Sequence, residues 1–141
     1  MTITDVKILV VAADRAIVDA AKAAFDPMGY QVVPANGISL GLFLAQKNLP
    51  DLILCQPRLA EGDGHSFLAE IKLDAELVPI PFVFVDFRNK SSTTDRDAAV
   101  TAGACRLTLL SESGSLDASE LIPLIERRLL TRTKRQEFSP E

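Results

Sequence analysis

Five short apolar runs set the architecture of this chain: KILVV at Lys7–Val11, then Tyr30–Pro34, Asp51–Cys55, FVFVDF at 82–87 and Cys105–Leu109, each followed by a segment of helical length. Runs this short, continuous and rich in β-branched or aromatic residues read as strands buried on both faces. Between them the spacing changes to that of helices. Asp14 can cap a first helix, in which Val18, Ala21, Phe25 and Met28 recur at core spacing until Gly29 stops it. A second helix is expected over about Ser39 to Lys47, with Leu40, Phe43 and Leu44 available for packing. A third follows from His65 to Leu73 with Phe67, Leu68 and Ile71 inward. A polar stretch, RNKSSTTD, precedes a short alanine-rich helix ending at Gly103, and SESGS makes a turn before a last helix from about Leu116 to Leu130. Pro123 either lies in the first turn of that helix or kinks it.

Strand and helix thus alternate five times, which calls for a parallel sheet with helices on both faces. Right-handed crossovers narrow the topologies, and for five strands the expected order is 2-1-3-4-5, the flavodoxin-like arrangement. The 141 residues, 48% hydrophobic, suffice for one core and not two. The domain is expected over 1–131, with residues 132–141 a polar tail, frayed or the start of a linker.

Ligands of such sheets bind at the carboxyl ends of the strands. Those ends are Ala12-Ala13-Asp14, Ala35, Gln56, Asp86-Phe87 and Leu110-Ser111. The first turn, VVAADRAI, has no glycine to let backbone approach a pyrophosphate, which argues against a dinucleotide or a P-loop. It also lacks the small hydroxyl residues that would cradle a flavin phosphate. The net charge of −4 offers nucleic acid no overall attraction. The basic cluster Arg127, Arg128, Arg132, Lys134 and Arg135 reads as a solvated helix end, without interleaved aromatics to stack bases. Cys55 and Cys105 sit in strand-like runs and read as small buried thiols rather than a disulfide or a metal pair. His65, the sole histidine, reads as an exposed side chain rather than a catalytic base. No run approaches membrane-spanning length and the start lacks a secretory signal, so a cytoplasmic protein is expected.

The segments KILVVAAD, AFDPMGYQVVPANG, LPDLILCQPRLAEGDG, IPFVFVDF and AVTAGACRLTLL, in this order and spacing, resemble the receiver domain of two-component response regulators over about residues 5 to 130. The resemblance implies a module in which an aspartate ending the third strand takes a phosphoryl group from a sensor kinase. Two acids after the first strand help it hold Mg²⁺, while a Thr or Ser after the fourth and a Lys after the fifth contact the phosphoryl group. At each of these places the chain departs. Ala12 and Ala13 stand for the acidic pair, Gln56 for the phosphoacceptor, Asp86 for the hydroxyl residue, and Leu110 for the lysine, with Ser111 for the usual proline. The aromatic switch position falls on Leu107. The structural landmarks remain: Gly29-Tyr30, Pro50-Asp51, Asp63-Gly64 and Ala102-Gly103-Ala104. The loop after the fourth strand is about two residues longer than is usual in the family.

A glutamine amide is a very poor nucleophile, and methyl groups at 12 and 13 supply no magnesium ligand. Asp86 would repel a phosphoryl group, and Leu110 removes the ammonium that would balance it. The expectation is therefore a non-phosphorylatable pseudo-receiver: no enzyme, no catalytic residue, no metal and no cofactor. It would act by binding a protein partner or output domain in two-component-type signalling, with neither nucleic acid nor membrane bound directly. By the same resemblance, the face of the fourth helix, fifth strand and fifth helix would dock a partner or a second copy, through Arg106, Leu107, Thr108, Leu121, Ile125 and Arg128. Two alternatives stand beside it: a small α/β enzyme or divalent-cation site built on Asp86 with Asp14 and Asp63, and a receiver that uses Ser111 as acceptor.

Overall fold

A computed structural model describes residues 6–59, 62–87, 103–104 and 106–137, with side chains through Thr131. The expected alanine-rich helix before Gly103, the polar loop ahead of it, Cys105 and the side chains of the basic tail lie outside these residues.

The strands are β1 (Lys7–Val11), β2 (Gln31–Ala35), β3 (Leu52–Cys55), β4 (Arg58–Leu59), β5 (Gly62–Asp63), β6 (Phe82–Asp86) and β7 (Arg106–Leu109). Five of them form one parallel sheet in the order 2-1-3-6-7. The strand numbers differ from the expected 2-1-3-4-5 because β4 and β5 intervene as a separate antiparallel ribbon, with Arg58 opposite Asp63. Two-residue strands of polar composition carry no periodicity, so nothing in the sequence pattern announced them.

Side chains alternate across the sheet into two cores. Ile8, Val10, Leu52, Leu54, Val83 and Val85 pack on one side against α1 (Arg15–Phe25) and the C-terminal helix (Ile122–Glu137). Leu9, Val11, Ile53, Cys55, Phe82 and Phe84 pack on the other against α2 (Ile38–Asn48) and α3 (Gly64–Lys72). A strand covered on both faces must be apolar at every position, and β3 is buried throughout.

The helices depart from expectation in three places. α1 gives way to a 3-10 turn at Asp26–Met28, which leaves Met28 exposed, before Gly29 turns the chain with φ +80°. In α2 the buried residues are Gly41 and Ala45, while Leu40 and Phe43 face outward at 44% and 57% exposure. A Cβ at position 41 would lie 2.9 Å from Val11 Cγ2, so this helix seats its smallest residues against the sheet. The last helix begins at Ile122, after a 3-10 turn at Ala118–Glu120, and continues to Glu137. The segment expected as a frayed tail is therefore helical through Glu137, and Pro123 lies in the first turn. None of the helices among the described residues is long and apolar enough to cross a membrane.

Candidate functional site

The register places the mouths of β1, β3, β6 and β7 side by side, with Val11 opposite Cys55, Cys55 opposite Phe84, and Asp86 opposite Leu109. This is the sheet edge where the sequence placed its candidate site.

Gln56 leaves β3 with its N–H donated to Val11 O at 2.9 Å, which fixes the direction of its side chain. The amide oxygen Oε1 then accepts from two backbone N–H groups of the loop after β1, Ala13 at 2.9 Å and Asp14 at 3.0 Å. A nearly buried glutamine thus ties the β1 loop to β3 and fills the mouth with its own side chain. Ala12 is buried beside it, and its N–H donates to Ala35 O at 2.9 Å.

Asp86 ends β6 and is fully buried, so its carboxylate needs compensation. Arg58 of β4 supplies it: Nη2 lies 2.6 Å from Oδ1 and 2.8 Å from Oδ2. The Phe87 N–H donates to Oδ1 at 2.8 Å. The arginine side chain is 51% exposed and its partner 0%, so the pair is a plug with its cation facing solvent. Arg58 was missed in the sequence, although one signal was present. An acid at the end of a buried strand requires a cation, and the loop following Gln56 holds a single one.

Leu110, which the resemblance sets at the lysine position, is packed in the core with Val85, Leu116 and Leu121. Its N–H bonds to Asp86 O at 3.0 Å, so backbone still aligns the last two strands there. Ser111 lies in the following turn, where its Oγ accepts from Ser115 N–H at 3.0 Å.

The third element at this edge is the start of α3. Asp63 accepts from Ser66 N–H at 2.9 Å, and these hydrogen bonds from Ser66 hold its carboxyl below the ordinary value. Gly64 comes so close to the strand ends that a Cβ would stand 2.6 Å from Phe84 Cε1 and 2.8 Å from Gln56 O. His65, expected as exposed, is half-buried with its ring 4.8 Å from that of Phe84. Cys55 is a buried free thiol, and desolvation pushes its pKa strongly upward.

The three acids weighed as a cation site are thus occupied separately. Asp14 caps α1 through Ala16 N–H at 2.9 Å, Asp63 caps α3, and Asp86 faces Arg58. Among the described residues no three His, Cys, Asp or Glu side chains gather into a group that could hold a metal ion. Nor do the residues that the resemblance sets at the magnesium positions fit that ion. Two are alanines, and the oxygen of the third is already shared by two N–H donors.

The chain has 20% sequence identity, with a TM-score of 0.72, to the signal receiver domain of an HD domain-containing protein from Pseudomonas fluorescens Pf-5, covering 99% of this chain and 98% of that one. The fold is that of response-regulator receiver domains. The receiver-fold chemotaxis response regulator CheY4 of Vibrio cholerae matches with a TM-score of 0.71 and 18% identity, over 89% of this chain and 99% of that chain. In sequence, the KDP operon transcriptional regulatory protein KdpE of Escherichia coli (strain K12) is 30% identical over 97 residues. That alignment takes in 69% of this chain and 41% of KdpE, so the chain spans about two fifths of that relative. No protein-family model matches.

The receiver surface expected to dock a partner is narrower than the sequence suggested. Leu121 and Ile125 are fully buried and Leu107 nearly so, because β7, the C-terminal helix and the turn that leads into it direct these side chains into the two cores. They present nothing to a partner. Thr108 and Arg128 are also buried, at 8% and 5% exposure. Arg106 is the half-exposed member and pairs with Glu120 at 2.7 Å.

Proposed function

We propose that the chain is a receiver-type module that does not take a phosphoryl group and acts as a protein-protein interaction or regulatory element in two-component-type signalling. The observation that carries this reading is the filled mouth of β3. An amide stands where a carboxylate would be, and its oxygen is held by Ala13 and Asp14 N–H. Phosphoryl transfer needs an oxygen nucleophile and a cation on the transferring oxygens. Here the nucleophile is absent from that position, and the nearby Asp86 is neutralised by Arg58 rather than available to a metal. Ser111, the alternative acceptor, has its hydroxyl engaged in a turn of serines, 3.0 Å from Ser113 Oγ and accepting from Ser115 N–H at 3.0 Å.

In this reading the partner is a protein or an output domain, reached through the half-exposed part of the β7 surface around Arg106, and a second copy of the chain is one such partner. The chain is not an enzyme, needs no cofactor, works in the cytoplasm and leaves nucleic acid to its partners. The test is a backbone amide titration with beryllofluoride and Mg²⁺, the stable mimic of an acyl phosphate. The expected result is no shift at Gln56, Asp86 and Leu110. Saturable, localised shifts there would overturn the reading.

A further inference from the structure

The helices of this chain do not meet solvent alike. α1 turns Arg15 and Asp19 outward and α3 turns Glu70 and Lys72 outward, whereas α2 presents Leu40 and Phe43. Those two are neighbours on the helix surface, three residues apart. Lys47 continues the row, with its Nζ 5.8 Å from the Phe43 ring centroid. From Gln31 to Asn48, β2 and α2 carry no acid and this one cation, in a chain of net charge −4.

Beside Leu40 a cavity of about 290 Å³ opens where the ends of β1 and β2 meet the starts of α1 and α2. Ala12, Ala13, Val18, Pro34, Ala35 and Leu40 form its apolar walls, and Arg15 and Asn36 stand with them. These walls are fixed in place. Ala12 N–H donates to Ala35 O, Gln56 Oε1 holds the Ala13 and Asp14 N–H groups, and Arg15 is paired with Asp19. A cavity of about 150 Å³ is enough to take a benzene ring. One face thus carries a protruding aromatic side chain and, about a helical turn away, a preformed apolar hole large enough for it.

A knob and a hole on the same face complement themselves about a two-fold axis. We propose that a second copy of this chain docks here, with the two α2 helices antiparallel and each Phe43 seated in the other copy's cavity against Leu40. The reversal of direction sets Lys47 opposite Asn36 of the second copy, an ammonium facing an amide oxygen. The two Lys47 side chains then lie at opposite ends of the contact and do not meet. Strand addition is not the mode. Gln31 N–H donates to Val6 O and Ala12 N–H to Ala35 O, so Val32 and Pro34 turn their backbone to the open edge of β2, and proline has no N–H to give. β2 and β7 are opposite edges of the sheet, so docking here leaves the Arg106 surface open. The contact does not depend on whether the chain takes a phosphoryl group.

The test is sedimentation equilibrium of the full chain from about 10 µM to about 1 mM, with amide NMR spectra over the same dilution series. A patch this small supports a weak dimer, with a Kd of about 0.1 mM, and dilution is expected to shift Ala13, Asn36, Leu40, Phe43 and Lys47 together. Phe43→Ser, at an exposed side chain, is expected to weaken association about tenfold or more. Ala13→Leu fills the hole and should do the same, each variant being checked for folding by amide dispersion. A mixture of the two should associate more tightly than either alone, because one intact knob then meets one intact hole. Leu73→Ser, at an apolar side chain 82% exposed elsewhere on the surface, and Arg106→Ala should leave association unchanged. A chain still monomeric at about 1 mM, full association in folded Phe43→Ser, a mixture no tighter than its components, or an equal loss in Leu73→Ser or Arg106→Ala would each overturn the proposal.

Discussion

Removing Arg58 strands a carboxylate that cannot reach water, whereas removing the carboxylate leaves a cation that can. At an effective dielectric constant of about 20, unit charges about 4 Å apart attract by about 4 kcal/mol before desolvation is charged against the pair. Breaking a fully buried pair costs about 3–5 kcal/mol, and an exposed one about 1 or less. With Asp86 sealed and Arg58 at 51% exposure, Arg58→Ala is expected to cost about 2–3 kcal/mol. Asp86→Asn should cost about 1, because the guanidinium can turn to solvent. Urea unfolding at pH 7 measures both, and the double variant should fall short of the sum by about 1–2 kcal/mol. An Arg58→Ala variant within about 0.5 kcal/mol of the parent, or a cheaper loss than Asp86→Asn, would refute the reasoning.

Three further outcomes are expected. Gln56→Ala deprives the Ala13 and Asp14 N–H groups of their shared acceptor; it should cost about 1–2 kcal/mol and speed hydrogen exchange at those two amides selectively. Gly64→Ala drives a methyl into Phe84 and the Gln56 carbonyl and should lower stability by about 1–3 kcal/mol, read from the same urea curves. The Asp63 carboxyl is depressed below 3.8 in the folded chain, so its contribution is present above that pH and is lost as pH falls through the lower folded value. Asp63→Asn should flatten the acid side of the stability profile, and an unchanged slope below pH 4 would contradict the capping role.

The sheet was legible because a strand buried on both faces has no polar position to disguise it. β1 and β3 are apolar at every fully buried position and β6 at all but its last, Asp86, and their ends placed Ala12, Gln56 and Asp86 at one edge of the sheet. What escaped depended on partners distant in sequence. Arg58 and Asp86 are 28 residues apart, and only the fold brings them together. The orientation of α2 was misread because apolar size was taken as the mark of burial, while close packing on Val11 selects Gly41 and Ala45. Leu121 and Ile125 were assigned to a surface by an expected helix alone, but Leu121 ends the turn before that helix and both side chains point into the core.

The seating of Leu110 in the core has a consequence for how this sequence can change. A lysine there would run its stem among Val85, Leu116 and Leu121, with no carboxylate at position 56 to meet its ammonium. An aspartate at 56 would be too short to keep both N–H bonds of the β1 loop, and a threonine at 86 would orphan Arg58. Each of these three changes is thus a loss when taken alone, and any gain would come only after several were taken together. The packing thus acts as a ratchet against any one of these substitutions made singly.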